Sequence, residues 1–219
     1  MKNYAIFPAG KINELLGKIM IKNLLVSVLF LFLLTGCQST LMEPVIEQAQ
    51  TNAQAGKAQV VFIRSAFVGQ AIQASVYDVT SGAPEFIGIV SNDTKISYMT
   101  SPGEHMFMVV GESADFLKAS VVEGKTYYTV VSPRMGFWKA RFSMHPVRND
   151  DTAKFKYDSK DFKEMLADSK FVKSGPKAEK WAVSNANNIS SKMNKYLPEW
   201  KLKGLEKQKA ATIEVIDHM

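Results

Sequence analysis

Residues 58–64 carry the stretch that decides the fold, Ala-Gln-Val-Val-Phe-Ile-Arg. Its centre is apolar at successive positions, and such a strand must be covered on both faces, so we expect it in the middle of a sheet. Further short β-prone runs follow, separated by turns such as Ser81-Gly-Ala-Pro84 and Ser101-Pro-Gly-Glu104, with no helical periodicity between them. Seven or eight such strands predict an antiparallel β-sandwich or a small barrel over residues 58–147.

Two local patterns refine this prediction. Pro102 presets one turn dihedral and Gly103 accepts a positive φ at the next position, as a type II turn requires. Gly124 is expected to do the same between two later strands. Tyr127 and Tyr128 are consecutive in a strand, so their side chains point to opposite faces. We therefore expect one tyrosine to pack inside and the other to face solvent.

The composition changes near residue 151. Residues 152–219 contain 14 lysines, no arginine and nine acidic residues, with apolar residues at helical spacing. We expect a helix capped by Ser159 and a second from about Lys177 to Tyr196, interrupted by Leu197-Pro198. A third, less regular segment aligns Leu202, Leu205, Ile213 and Ile216. The fold class is therefore mainly β with an α-helical C-terminal region, that is, the sandwich or barrel followed by two or three helices.

The N-terminus carries a secretion pattern. Lys18 and Lys22 precede an apolar run of 11 residues from Leu24 to Leu34, in which only Ser27 is polar. A helix needs roughly 20 residues to span a bilayer, so this run has the length of a signal-peptide core rather than of a membrane anchor. Met20 offers an alternative start of translation.

The apolar run ends in Leu34-Thr-Gly-Cys37, which resembles the lipobox of bacterial lipoproteins. The resemblance implies a signal peptide over residues 1–36, a diacylglyceryl thioether on Cys37 and a further acyl chain, such as palmitate, on the new N-terminus. Each buried CH₂ contributes about 0.8 kcal/mol, so three chains anchor a protein permanently. Gln38, in place of the aspartate that favours inner-membrane retention, favours the outer membrane, facing the periplasm. The alternative is an ordinary buried cysteine.

Residues 37–57 follow as a lipidated tether, with a helix expected around Val45 to Gln54. If the tether were extended, it would reach about 66 Å at about 3.3 Å per residue. The membrane, reached through the lipid on Cys37, is thus the first expected partner, and an envelope protein or cell-wall component is the second.

Charge and cysteine content exclude several classes of protein. The chain has 27 basic and 21 acidic residues, and residues 1–36 hold four lysines and one glutamate, which leaves 23 against 20, a net charge of only +3. We therefore expect no nucleic-acid partner. The single cysteine excludes an intrachain disulfide and a multi-cysteine metal site, and the histidines lack metal-ligand spacing, so we expect no metal and no cofactor.

The β region also resembles a known family. Ser101-Pro-Gly-Glu-His105, Val121-Val-Glu-Gly-Lys-Thr-Tyr-Tyr-Thr129 and the opening strand at residues 58–64 are similar to an uncharacterised bacterial lipoprotein domain, a domain of unknown function with a PEGA-like β-sandwich. The resemblance covers residues 58–147. It implies a fold and an envelope location, and it brings no activity and no catalytic residues.

One loop has the composition of a ligand site. Basic and aromatic residues alternate between Pro133 and Arg141, a combination that can stack on a sugar or bind a phosphate or carboxylate. The candidate ligand-binding residues are Arg134, Phe137, Trp138, Lys139 and Arg141. The alternative is that the two aromatic residues pack in the core, with Trp138 mainly buried, and the basic residues lie on the wet face.

Catalytic residues have no comparable signal. The acidic residues of the β region lie around predicted turns, where we expect solvated loop carboxylates: Asp78, Glu85, Glu104, Glu112, Asp115 and Glu123. No Ser/His/Asp set stands out. An alternative pairs His105 with His145 across the sheet, with methionines as soft metal ligands. We assign no catalytic residue and do not expect an enzyme.

These observations predict a lipid-anchored cell-envelope protein that acts as a non-catalytic binding or assembly module. Two alternatives stay open: a saccharide- or anion-binding protein that uses the 133–141 loop, and a periplasmic hydrolase. The lysines of residues 152–219 either attract anionic surfaces or form solvated helix faces. We expect the stripe of Trp181, Ile189 and Met193 to pack on the protein's own sheet.

Overall fold

The strand at residues 58–64 lies in the middle of the larger of two sheets, as the sequence predicts. All seven residues of β2 (Ala58–Arg64) are buried. The strand pairs antiparallel with β5 (Thr94–Thr100) and parallel with β8 (Thr126–Arg134). The computed structural model describes residues 40–49, 52–66, 72–134, 141–151 and 153–219.

These residues form twelve strands and three helices, so the predicted class, mainly β with C-terminal helices, is confirmed. The other strands are β1 (Glu43–Pro44), β3 (Ala74–Asp78), β4 (Glu85–Val90), β6 (Gly103–Val110), β7 (Ala114–Val121), β9 (Arg141–Arg148), β10 (Phe155–Lys156), β11 (Lys170–Lys173) and β12 (Thr212–Ile213). The helices are α1 (Lys160–Asp168), α2 (Pro176–Lys201) and α3 (Leu205–Lys209). The larger sheet has the order β1-β11-β5-β2-β8-β9-β10, and the smaller has the order β12-β7-β6-β3-β4.

The two sheets and two of the helices pack in four layers. The main core lies between the sheets, where Phe62 meets Phe107 edge to face at 5.2 Å between ring centroids. Helix α1 covers the outer face of the larger sheet through Phe162. Helix α2 covers the outer face of the smaller sheet through Ile189 and Met193, which confirms that this stripe packs on the protein's own sheet.

The covering helices overturn one prediction, because Tyr127 and Tyr128 are both fully buried. Tyr127 points into the main core, and its hydroxyl donates to the carbonyl of Val215 at 3.1 Å. Tyr128 points to the opposite face, but α1 lies there, and Phe162 packs on its ring at 5.5 Å. The prediction that one tyrosine would face solvent is wrong because that face is also covered.

The sheets are mixed rather than purely antiparallel. Besides the β2–β8 pair, the three short strands of the C-terminal region each pair in parallel with a longer strand: β10 with β9, β11 with β5, and β12 with β7. Of these three, β10 and β12 are edge strands, whereas β11 lies between β5 and β1. Within the described residues the two sheets remain separate, so the molecule is a sandwich and not a barrel. Composition divides the chain near residue 151, whereas residues 40–219 pack as one compact unit.

The helices differ from the prediction in their extent. Ser159 caps α1 as expected, because its side chain accepts from the amide of Phe162 at 3.2 Å. The expected break at Leu197-Pro198 is wrong, since α2 continues through Pro198 to Lys201 and buries Trp200 against the sheet. The third segment forms the short helix α3 and the two-residue strand β12. Of the four apolar residues that the sequence aligns there, only Ile213 is buried.

The positive φ predicted at two glycines is present. Gly103 and Gly124 both have a positive φ, 129° and 75° respectively. Side chains with a Cβ avoid this region of backbone space, so these turns favour glycine.

Part of the predicted tether belongs to the folded body. Met42 is 3% exposed in the main core, and β1 pairs with β11. The Gln48 side chain donates to the carbonyl of Phe171 at 3.1 Å and accepts from its amide at 2.6 Å. The expected helix is not present at residues 45–49 or 52–54. No helix in the described ranges has the length and apolar composition needed to cross a membrane.

Candidate ligand-binding site

Two of the five candidate ligand-binding residues come together at the mouth of the β8–β9 hairpin. Arg134 and Arg141 form the last residue pair between these antiparallel strands, directly opposite each other. Like charges in that position destabilise a sheet, by about 0.2–1 kcal/mol, so strand pairing alone does not account for them. Phe137, Trp138 and Lys139 lie outside the described residues, as does Cys37.

Both arginines line a cavity of about 200 Å³, here called the cationic pocket. One wall comes from the start of β7, and the other comes from the C-terminal end of α2 and the residues after it. The charged and aromatic side chains that line it are Asp115, Arg134, Arg141, Tyr196, Glu199, Trp200 and Lys203. The three basic side chains against two acidic ones leave a formal excess of one positive charge.

Asp115 organises this pocket. Its carboxylate accepts from the Lys203 ammonium at 2.8 Å and from the Ser143 hydroxyl at 2.8 Å, and it lies 3.9 Å from the Arg134 guanidinium. The residue is 7% exposed, so the expectation of a solvated loop acid is wrong here. The Lys203 ammonium neutralises most of the negative charge of Asp115. Arg141 is exposed and has no ion pair within the described part of the chain.

Trp200 forms the apolar wall of the pocket. It is 2% exposed and packs edge to face on Phe116, with 6.2 Å between the ring centroids. The ammonium groups of Lys118 and Lys203 lie over its ring at 5.7 and 5.9 Å, within the range of cation–π attraction. Its indole N–H is buried and has no acceptor among the residues that the structure describes.

His145 lies on β9 near this pocket and responds to its charges. Burial and the positive charge of Lys154 lower the pKa of His145 to about 4, with a further lowering by Arg134 and an opposing effect of Asp115. The imidazole is therefore neutral near pH 7, and its Nε2 lies 3.1 Å from the Lys154 ammonium, which donates to it.

A second histidine belongs to a different cluster. His105 Nδ1 lies 3.4 Å from the Asp78 carboxylate, and its Nε2 lies 2.8 Å from the carbonyl of Ser101. The hydrogen bond to Asp78 raises the pKa of His105. Burial acts to raise the pKa of Asp78, but hydrogen bonds from His105 and Thr80 outweigh it and bring that pKa below its ordinary value.

This cluster buries a second acid that the sequence places in solvent, because Asp78 is 6% exposed. Tyr98 adds a hydrogen bond from its hydroxyl to the Asp78 carboxylate at 3.2 Å. Both ring nitrogens of His105 are used by groups of the protein itself, so the pair joins the turn after β3 to the turn after β5. Neither Asp78 nor His105 lines the cationic pocket.

The described ranges contain no group of three or more His, Cys, Asp or Glu side chains placed to hold a metal ion.

Neither family models nor curated proteins match this chain. The likeness to bacterial lipoproteins and to the PEGA-like domain therefore stays an expectation that rests on the motifs quoted above.

Proposed function

We propose that this protein is a lipid-anchored cell-envelope protein whose body is a non-catalytic binding module, and that the cationic pocket takes a small ligand bearing a carboxylate or a phosphate. One observation carries this proposal: Arg134 and Arg141 lie opposite each other at the end of a hairpin and line the same cavity as Lys203. Two adjacent guanidinium groups match the planar, paired oxygens of a carboxylate or phosphate, and a bound anion would relieve their mutual repulsion.

The rest of the pocket supports the same ligand class. Asp115 holds Lys203 in place without cancelling the charge of Arg141. Tyr196, which is partly exposed, supplies an apolar surface against which the carbon skeleton of an organic acid can pack. A cavity of 200 Å³ is smaller than most drug-sized pockets, which suits a compact anion.

The anchoring part of the proposal rests on the lipobox at residues 34–37. If Cys37 carries the lipid, the buried position of Met42 leaves five residue steps between the acylated sulfur and the folded body. At about 3.6 Å per residue, these steps span at most about 18 Å, far less than the whole predicted tether. The body would then lie close to the lipid headgroups, with the outer membrane, facing the periplasm, as its expected location.

Anion binding is tested on the full-length protein in detergent micelles by isothermal titration calorimetry, with citrate and inorganic phosphate as the probes. We expect the double variant Arg134→Gln/Arg141→Gln to bind the tighter-binding probe about tenfold to a hundredfold more weakly than the unaltered protein does, because charged hydrogen bonds are lost. The matched control is Lys125→Gln, an exposed lysine in the turn between β7 and β8. Equal affinity in both variants would contradict the proposed pocket.

Anchoring is tested with Cys37→Ser, expressed beside the unaltered protein and labelled with a palmitate analogue. We expect the variant to lose the label and to remain unprocessed or leave the membrane fraction. Normal processing and continued membrane association of Cys37→Ser would contradict the anchor. Crosslinking in intact envelopes then identifies an envelope protein or cell-wall partner.

A further inference from the structure

A second cavity, of about 430 Å³, lies between the smaller sheet and the middle of α2. Its floor is one cross-strand row, in which Ser75 on β3 stands opposite Ile89 on β4 and Val110 on β6. Its wall is one face of α2, formed by side chains at successive helical turns: Trp181, Asn185, Ile189 and Lys192. We call this space the amide cavity.

The polar groups of the amide cavity are mainly side-chain carboxamides. Asn185, Asn188 and Gln73 line it together. Asn185 donates one N–H to the carbonyl of Trp181 at 2.8 Å, and its side-chain oxygen accepts from no donor among the described residues. The side chains of Gln73 and Asn188 have no hydrogen-bond partner within the described part of the chain. Each carboxamide can both donate and accept, as neighbouring hydroxyl groups of a ligand require.

The charges of this cavity cancel. Glu112 and Lys192 are its two ionic residues, one of each sign. The Lys192 ammonium donates to the carbonyl of Gly111 at 2.6 Å, and burial lowers its pKa while the charge of Glu112 opposes that shift. An uncharged ligand therefore fits here, in contrast to the excess positive charge of the cationic pocket.

The floor of the cavity disfavours a peptide as the ligand. Strand β3, at the middle of the floor, lies between β4 and β6, so its backbone groups are already paired within the sheet. Addition of a peptide strand takes place in the plane of a sheet at a free edge, here the outer side of β4, whereas the cavity lies over the face of the sheet. The apolar surface of Trp181 and Ile189, set beside convergent carboxamides, instead suits a compact molecule with one apolar face and a ring of hydroxyl groups.

We propose that the amide cavity is a second ligand site, which binds an uncharged mono- or disaccharide unit. The apolar face of the sugar ring packs on Trp181, and its hydroxyl groups pair with the carboxamides of Gln73, Asn185 and Asn188. The inference is independent of the proposed anion site, because the two cavities share no lining residue.

The test uses the full-length protein in a detergent that carries no sugar. Maltose, cellobiose and N,N′-diacetylchitobiose are titrated by calorimetry and by tryptophan fluorescence. We expect at least one of them to bind, and the double variant Gln73→Ala/Asn188→Ala to bind it at least about tenfold more weakly. The matched control is Asn187→Ala, because this asparagine is the chain neighbour of Asn188 and is exposed outside the cavity.

Two further comparisons separate the outcomes. Sugar binding should be unchanged in Arg134→Gln/Arg141→Gln and insensitive to NaCl, so that failure of the anion proposal leaves this one standing. Circular dichroism checks the fold of the double variant, and Trp181→Phe provides a second variant in which the ring surface is reduced. Absence of binding for all three sugars at about 10 mM would overturn the proposal. Binding of N-acetyl-trileucine amide, lost in the same variants, would overturn it in favour of a peptide.

Discussion

The cationic pocket and the amide cavity share α2 and the smaller sheet, yet they present different chemistry. The amide cavity lies between the smaller sheet and the middle of α2, whereas the cationic pocket lies at the C-terminal end of the helix and also takes Arg134 and Arg141 from the larger sheet. The first gathers three cations around a buried aspartate, whereas the second has two ionic groups of opposite sign and three carboxamides. The fold therefore supplies the two spaces, and a few side chains from the strands, from α2 and from the residues next to it set the different charge of each.

The largest expected difference between the two regions is in stability. Trp200 is 2% exposed, whereas Trp181 is only half-buried. We expect Trp200→Ala to lower the free energy of unfolding by about 3–5 kcal/mol and Trp181→Ala by less than half of that, because the cost follows the buried volume that is lost. Urea unfolding followed by circular dichroism measures both. Equal costs would mean that the wall of the amide cavity is as much a part of the core as the wall of the cationic pocket.

The second difference is in the response to acid, because His145 lies beside the cationic pocket. Its folded pKa, about 4, is below its ordinary value of 6.5, so the unfolded chain takes up a proton first as the pH falls. Stability should therefore fall by about 1.5 kcal/mol between pH 6.5 and pH 5, because the slope reaches its full 1.36 kcal/mol per unit only below pH 6.5, where the unfolded histidine is fully protonated. We expect His145→Gln to remove most of this slope in urea unfolding series. A slope that persists in the variant would assign the effect to other groups.

His105 gives the opposite sign and serves as the internal comparison. Its folded pKa is raised by Asp78, so its contribution to stability is complete below pH 6.5 and is lost as the pH rises through the folded pKa. We expect His105→Gln to lower stability at pH 6 more than at pH 9. The same unfolding series measures this, and an equal loss at both pH values would contradict the charged pair.

The smallest expected effect separates binding from folding. Arg141 is exposed and faces Arg134 across the hairpin, so Arg141→Gln should change the free energy of unfolding by no more than about 0.5 kcal/mol, with a gain favoured by the relief of repulsion. The same change should weaken citrate or phosphate binding. Glu112→Gln, an exposed member of the amide cavity, is the control and should leave anion binding unaltered. A loss of stability above about 2 kcal/mol would make Arg141 a structural residue.

Local patterns in the sequence predicted the parts of the fold that depend on local physics. The apolar run of β2, the Ser159 cap and the positive φ of Gly124 follow from burial, capping and backbone sterics within a few residues. The continuation of α2 through Pro198 does not, because the burial of Trp200 on a distant strand outweighs the missing hydrogen bond.

The candidate site divides in the same way. Arg134 and Arg141 were expected to bind a ligand because they are close together along the chain with aromatic residues between them. Asp115 and Lys203 come from other elements, and only tertiary packing brings them to the same pocket. Asp115 is buried rather than solvated because Ser143 and Lys203 bind its carboxylate, and both of these partners lie far from it in the sequence. No pattern in the sequence predicted the amide cavity. Its asparagines lie on one face of α2, and they line a cavity only because that face packs opposite the smaller sheet.

The burial of Met42 has a consequence for how this protein would meet its ligands. Because only a few residues would join the lipid on Cys37 to the folded body at Met42, a lipidated copy would diffuse within one leaflet. Its search for a partner would then be two-dimensional. Any ligand carried by another membrane component would have to lie in the same leaflet, within a few nanometres of the headgroups, whereas a free small molecule would reach either site by diffusion from the surrounding fluid.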